Sequence, residues 1–382
     1  MKFRENLKKA KRIVFKLGTN VLTRDDGNLA MSRIYSFIES LSDLKNQNKE
    51  IIIVTSGAVG LGAKKLGLKE KPELVTLKQA CASVGQGQLM SIYEEGFNKF
   101  SILTAQVLIT GEDFSNRKKY LNLRSTLNTL IEMGVIPIIN ENDTISTSEL
   151  ESYNLEGIKV CFGDNDKLSA IVMSKLDADL LVIMSDVDGL YDDDPRINKN
   201  ANVIAMVKEV TPEIEALGFE ASKKGRGGMK TKLDAAKVAT HSGGYAVIIN
   251  GKKEKSIEKL FNGENIGTVF LPIENLSGKK RWIAYATNIS GGIKINEGAK
   301  KALINKNASL LSAGITEIIN EFKKGDVVSI IDDNENEFAK GIVNYTSSEC
   351  IKIKGKHSDE IEEILGHKNY DAVMTRDNIV IL

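Results

Sequence analysis

The segment Gly225-Arg226-Gly227-Gly228-Met229-Lys230-Thr231-Lys232 runs directly into Leu233-Asp234-Ala235-Ala236-Lys237-Val238-Ala239, which reads as a helix. Glycines let a backbone wrap closely around an anion, and the helix start behind them adds partial positive charge. With the full charges of Lys230 and Lys232, the chemistry this loop suits is phosphate binding. It departs from the common phosphate loop, G-x-x-x-x-G-K-[ST], because Met229 and not glycine precedes Lys230.

Four further clusters carry polar groups next to apolar runs. Lys16 closes Ile13-Val14-Phe15 and precedes Gly18-Thr19-Asn20. On a buried strand its ammonium would need an anion, whereas on an edge strand it would be solvated or ion-paired. Ser56, in Thr55-Ser56-Gly57-Ala58-Val59-Gly60, follows Ile51–Val54 as a small anion-binding turn or a plain helix cap. The glycines of that segment lack the dinucleotide spacing G-x-G-x-x-G, as does Gly85-Gln86-Gly87 with Met90 at the third position. Asn140-Glu141-Asn142-Asp143 and Gly163-Asp164-Asn165-Asp166 are acidic, amide-rich turns. They can hold an ammonium, orient lysines or bind Mg2+ through water, and Asp164 or Asn165 can equally cap the helix that follows. Ser185-Asp186-Val187-Asp188-Gly189-Leu190-Tyr191 leaves a strand with acceptors suited to a ribose or adenine. His241, His357 and His367 have no ligand spacing, and Asp192-Asp193-Asp194 reads as a solvated loop, so no protein-held metal is expected.

These groups need elements to position them. Strands are expected at Arg12–Leu17, Ile51–Thr55, Ile102–Ile109, Val135–Asn140, Leu180–Ser185 and Ala246–Asn250. Helices are expected between them at Met31–Asn46, Leu74–Phe97, Arg117–Met133, Asp166–Leu176 and Met229–Ser242. Such β/α alternation predicts an α/β fold with a largely parallel sheet covered on both faces, and ligands at the carboxyl ends of its strands. The polar clusters fall at those ends. From Gly263 the texture changes: 263–284 reads as a linker between a first domain, 1–262, and a small β-rich domain, 285–382. Strands are expected in the latter at Gly291–Ile295, Val327–Ile331, Phe338–Val343, Cys350–Ile353 and Ile379–Leu382.

Composition narrows the function classes. Across 382 residues, 52 Lys and Arg balance 51 Asp and Glu, so no global field draws the chain to nucleic acid or an anionic membrane. Residues 291–382 hold 12 basic against 15 acidic residues, a formal charge of −3, which disfavours RNA binding. Cys81, Cys161 and Cys350 are far apart, the N-terminus has no apolar h-region, and no apolar run approaches membrane-spanning length. A cytoplasmic protein with reduced thiols and no membrane partner is the expectation.

Taken in order, Val14–Thr19, Val54–Ala58, Ile139–Asp143, Gly163–Asp166, Asp186–Tyr191 and the opening loop resemble the amino acid kinase family. Within it they are similar to the members that phosphorylate the side-chain carboxylate of free L-glutamate, the first step of proline biosynthesis. Glu297-Gly298-Ala299, Ser309-Leu310-Leu311 and Gly314-Ile315 are similar to the PUA domain that such members carry. The resemblance implies an α/β/α sandwich, ATP as co-substrate with Mg2+, and a homo-oligomer, dimer or tetramer, with proline as feedback inhibitor. It implies that Lys16 and Lys232 flank the transferring phosphoryl group and that Asp166 positions them. Substrate contacts fall to Ser56, Asp143 and Asn165. ATP contacts fall to Lys16, Ser185, Asp186, Arg226, Gly227, Gly228, Met229, Lys230, Thr231 and Lys232. Asp143 suits a free α-ammonium, which an N-acetylated acceptor would lack. The chain departs from the family pattern at Arg226, at Ser185, and in a longer stretch between Asp143 and Gly163 with Glu149–Glu156 as extra material.

Overall fold

The computed structural model describes residues 2–68, 70, 72–146, 152–155, 158–161, 164–218, 228–273, 289–306, 308–368 and 370–382. The chain divides into two compact units, Met1–Tyr153 with Lys159–Asn275 and Leu276–Leu382 with Asn154–Ile158.

The first unit is built on strands β1 (Arg12–Leu17), β2 (Glu50–Thr55), β3 (Thr104–Ile109), β4 (Ile136–Glu141), β7 (Leu180–Ser185), β8 (Met206–Val207), β9 (Tyr245–Asn250) and β10 (Thr268–Phe270). Strands β5 (Ser152–Leu155) and β6 (Ile158–Cys161) form a separate two-stranded sheet, outside the main sheet. The main sheet has the order β3-β4-β2-β1-β7-β9-β10-β8. Its pairs are parallel except β10 against β9. The central strands are near-continuous Ile, Val and Leu runs, not alternating ones, because helices cover both faces and every side chain after the first residue of β2 is buried. Ile13, Phe15, Ile51, Ile53, Val182 and Met184 belong to one core cluster with Ile38, Leu41 and Phe97 from covering helices. Burying such a side chain contributes about 1.5–3 kcal/mol, so the middle of the sheet is the rigid platform. On it Lys16 of β1 sits level with Val54 of β2 and Ile183 of β7.

The six expected strands and five expected helices of this unit are present, with ends shifted by at most two residues. The stretch read as a linker from 263 begins inside the unit instead, since β10 pairs with both β9 and β8. Only three residues long, Thr268-Val269-Phe270 gives too little pattern to separate from the Gly- and Asn-rich flanks. The extra segment after Asp143 includes β5; its residues 149–151 and 156 lie outside the described residues.

The second unit carries β11 (Gly292–Ile295), β12 (Ile315–Ile319), β13 (Val327–Ile331), β14 (Glu337–Ile342) and β15 (Ile379–Ile381) in the order β12-β11-β13-β14-β15. Cys350–Ile353, expected as a strand from its alternation, is the end of a helix, Ser347–Ile353. A reciprocal cap starts that helix: the Thr346 hydroxyl accepts from the Glu349 backbone N–H, and the Glu349 carboxylate accepts from the Thr346 N–H at 2.8 Å. Cys350 and Ile353, three apart, then share its buried face.

Candidate active site

Asp166 lies near the start of the helix Asn165–Lys175, whose cap is Asp164: the Asp164 carboxylate accepts from the Asp166 N–H at 2.8 Å. The carboxylate of Asp166 is fully buried and meets two ammonium groups, Lys16 Nζ at 2.5 Å on Oδ1 and Lys232 Nζ at 3.0 Å on Oδ2. The Thr231 hydroxyl is also within donating distance of Oδ2, at 2.9 Å. Burial alone would raise the Asp166 carboxyl, but Lys16 and Lys232 outweigh it and hold it well below the usual carboxylate range. Asp164 goes the other way, raised by burial and by the negative charge of Asp166 while Lys16 draws it down. Its Oδ2 is buried without a hydrogen-bond partner among the described residues.

Lys16 comes from the central strand β1 and Lys232 from the first turn of the helix Met229–His241, so two distant elements meet on one carboxylate. Both lysines line a cavity of about 200 Å³ at the carboxyl ends of the strands. The cavity is also lined by Gly18, Thr19 and Asn20 after β1, Ser56 and Gly57 after β2, Asn140, Glu141 and Asp143 at the end of β4, Asp164 and Asn165, and Ser185 and Asp186 after β7. Ser56 donates to the Leu17 carbonyl at 3.0 Å, and its oxygen lies 3.2 Å from that of Thr19. Gly57 turns the chain into the helix Ala58–Lys65 with φ of +103°, a left-handed conformation that costs an L side chain roughly 1–2 kcal/mol. Asn165 donates to the Thr55 backbone carbonyl at 2.7 Å and to the Asn140 side-chain oxygen, Oδ1, at 3.1 Å. Asp186 accepts from Asn20 at 3.0 Å, tying the ends of β1 and β7 together.

The structure thus brings Lys16, Ser56, Asp143, Asn165, Ser185, Asp186 and Lys232 around one space, with Asp166 behind the two lysines. Thr231 reaches Asp166, Gly228 precedes the helix and Met229 opens it, while Lys230 is exposed and is not among the lining residues. Arg226 and Gly227 lie outside the described residues. Asp164 and Asn140 were legible only as polar turn residues: nothing in the sequence showed an unpartnered Asp164 oxygen or an Asn140 side chain bridging to Asn165. Among the described residues no cluster of three or more His, Cys, Asp or Glu could hold a metal ion, and no helix is long and apolar enough to cross a membrane.

A strand-end cavity in a largely parallel sheet, with two buried lysines sharing an aspartate, is the setting of an anion-transferring enzyme. Residues 11–250 match the amino acid kinase family and residues 291–365 the PUA domain; the chain belongs to the amino acid kinase family. Over nearly its full length it is similar to proteins named glutamate 5-kinase. That of Thermoanaerobacter sp. (strain X514) is 46% identical over 97% of this chain and 98% of its own. That of Methanosarcina mazei is 45% identical over 97% and 96% respectively. Among solved structures, a carbamate kinase from Giardia lamblia bound to AMP-PNP is similar with a TM-score of 0.49 at 16% identity, covering 70% of this chain and 100% of that one.

Proposed function

We infer that this protein transfers the γ-phosphoryl group of ATP to the side-chain carboxylate of L-glutamate, giving L-glutamate 5-phosphate for proline biosynthesis. The observation that carries the reading is the junction of Lys16, Lys232 and Asp166 at the cavity. A carboxylate is already a nucleophile and needs no strong general base. The barrier lies in bringing two anions together and in stabilising charge on the phosphoryl oxygens in flight. Two ammonium groups held by the one buried Asp166 carboxylate leave one positive charge in excess at this junction. Because Asp166 fixes both lysines before substrate arrives, little reorganisation is needed when charge develops.

Lys16 and Lys232 therefore act as the clamp on the transferring group, and Asp166 as the residue that positions them. Ser56, Asp143 and Asn165 bind the glutamate backbone, with Asp143 facing its α-ammonium. Ser185 and Asp186 hold the nucleoside end of ATP, and the segment from Arg226 to Lys232 its phosphates. Mg2+ bound with ATP would neutralise charge on its phosphates, and the Asp164 carboxylate at the cavity is the group that would hold it, through water. A cytoplasmic homo-oligomer under proline feedback belongs to the same reading and rests on the family resemblance. The charge of residues 291–382 argues against an RNA partner.

Purified protein incubated with ATP, Mg2+ and each of glutamate, N-acetylglutamate and carbamate tests the acceptor. Trapping the acyl phosphate with hydroxylamine should give hydroxamate with glutamate; product with N-acetylglutamate but not with glutamate refutes the reading.

A further inference from the structure

Behind the cavity a chain of side-chain amides links three elements. Asn165 uses both amide protons, one on the Thr55 carbonyl at 2.7 Å and one on Asn140 Oδ1 at 3.1 Å. Asn140 in turn donates from Nδ2 to Gln86 Oε1 at 2.9 Å. The orientation of every amide in this chain is forced from one end. The Thr55 carbonyl is a fixed backbone acceptor at the end of β2, so Asn165 must present its nitrogen there. Asn140 must then present oxygen to Asn165, and Gln86 must present oxygen to Asn140. The outcome is that the Asn165 carbonyl oxygen is the group left to face the cavity, as an acceptor.

Gln86 is only 8% exposed and its Nε2 has no hydrogen-bond partner among the described residues. Its buried amide is therefore retained for one bond, the one it accepts. Next to Gln86, the helix Val75–Asn98 lies against the helix Ala58–Lys65: a Cβ at Gly85 would stand 1.9 Å from the Ala58 carbonyl oxygen, so only glycine permits this approach.

We propose that Gln86 is a positioning residue for the amino acid acceptor: it fixes the Asn140 amide and, through it, the Asn165 carbonyl that receives the substrate ammonium. This rests on the glutamate reading above, and the two fail differently. Glutamate turnover by the unaltered protein is measured first, and its absence refutes the acceptor itself. Gln86→Met then fills the same space without an acceptor, Gln86→Asn withdraws the acceptor by one methylene, and Gln86→Glu keeps an oxygen towards Asn140 while putting a carboxyl oxygen, whose neutral form burial favours, in place of the orphaned nitrogen. A buried donor left unpaired costs about one factor of ten or more in an equilibrium. Gln86→Met and Gln86→Asn should each raise the KM for glutamate about tenfold, with kcat and the KM for ATP changed by less than about twofold, and Gln86→Glu should restore it. A purely structural role would move ATP and glutamate parameters together. An unchanged glutamate KM in Gln86→Met, a parallel loss for ATP, or a Glu variant as impaired as the Met variant overturns the proposal.

Discussion

Replacing Lys232 by methionine keeps an unbranched stem and removes only the ammonium, and the geometry separates its effects on folding and on catalysis. In the folded protein Asp166 loses the contact at 3.0 Å but keeps Lys16 at 2.5 Å and the Thr231 hydroxyl at 2.9 Å. The carboxylate thus stays paired, and the loss is one hydrogen bond to a charged group, about 1.5–3 kcal/mol, not the larger cost of an abandoned buried charge. For a unit of this size that is a fall in Tm of roughly 3–12 °C. Catalysis suffers more, because among the described residues Lys16 is then the one ammonium left at Asp166 beside the cavity. Losing one such preorganised donor costs about 2.7–4 kcal/mol, a fall in kcat of about 10²–10³. The glutamate KM should stay within about threefold, since the lost interaction belongs to the transition state. Hydroxamate assays at saturating ATP, with a melting curve on the same samples, read both quantities. Lys232→Met with near-normal kcat, or with a KM rise that accounts for the whole loss, refutes the clamp.

Three other outcomes follow from the same site. Asp143→Asn should raise the glutamate KM about tenfold or more while leaving the KM for ATP unchanged, which initial-rate kinetics with each substrate varied will read. Asp164→Asn should raise the Tm at neutral pH: the Asp164 carboxyl is raised on folding, so its protonation favours the folded state, and that contribution is present below its unfolded pKa and lost as pH rises through the folded value. The gain over the unaltered protein should therefore shrink on acidification to about pH 4 and below, and equal Tm values at pH 7 would refute the assignment. Proline should raise the apparent KM for glutamate without lowering kcat if the two share the cavity; a pure kcat effect would place proline elsewhere.

How much of this was legible in the sequence depends on distance along the chain. β1 and β7 were readable to the residue because apolar runs of five or six β-formers between polar turns admit few other structures. Cys350–Ile353 misled because Cys-Ile-Lys-Ile alternates like a strand, while the cap that makes it helical lies upstream at Thr346 and Glu349. Lys16 on its own was ambiguous between an edge strand and a buried one; the position of β1 between β2 and β7 decides it. The amide chain was beyond reach, since Gln86 and Asn140 are 54 residues apart and a glutamine within a helical pattern looks like an exposed one. Asp164 illustrates a subtler limit. Its cap role was visible, but the second oxygen, left without a partner by the packing around it, is a property of the assembled site.

The strand order gives the enzyme a left and a right hand. β1 stands in the middle with Lys16, β2 and β4 on one flank deliver Ser56, Asn140 and Asp143, and β7 on the other delivers Ser185 and Asp186. Asp166 holds Lys16 and Lys232, its neighbour Asn165 ties that helix to the ends of β2 and β4, and Asp186 is tied to β1 through Asn20. Changes to the loops after β2 and β4 therefore bear on the acceptor side and, through Asn165, on the helix of the clamp, while leaving the residues after β7 in place. A lineage built on this sheet can change what it phosphorylates by rewriting one flank and inheriting the other intact.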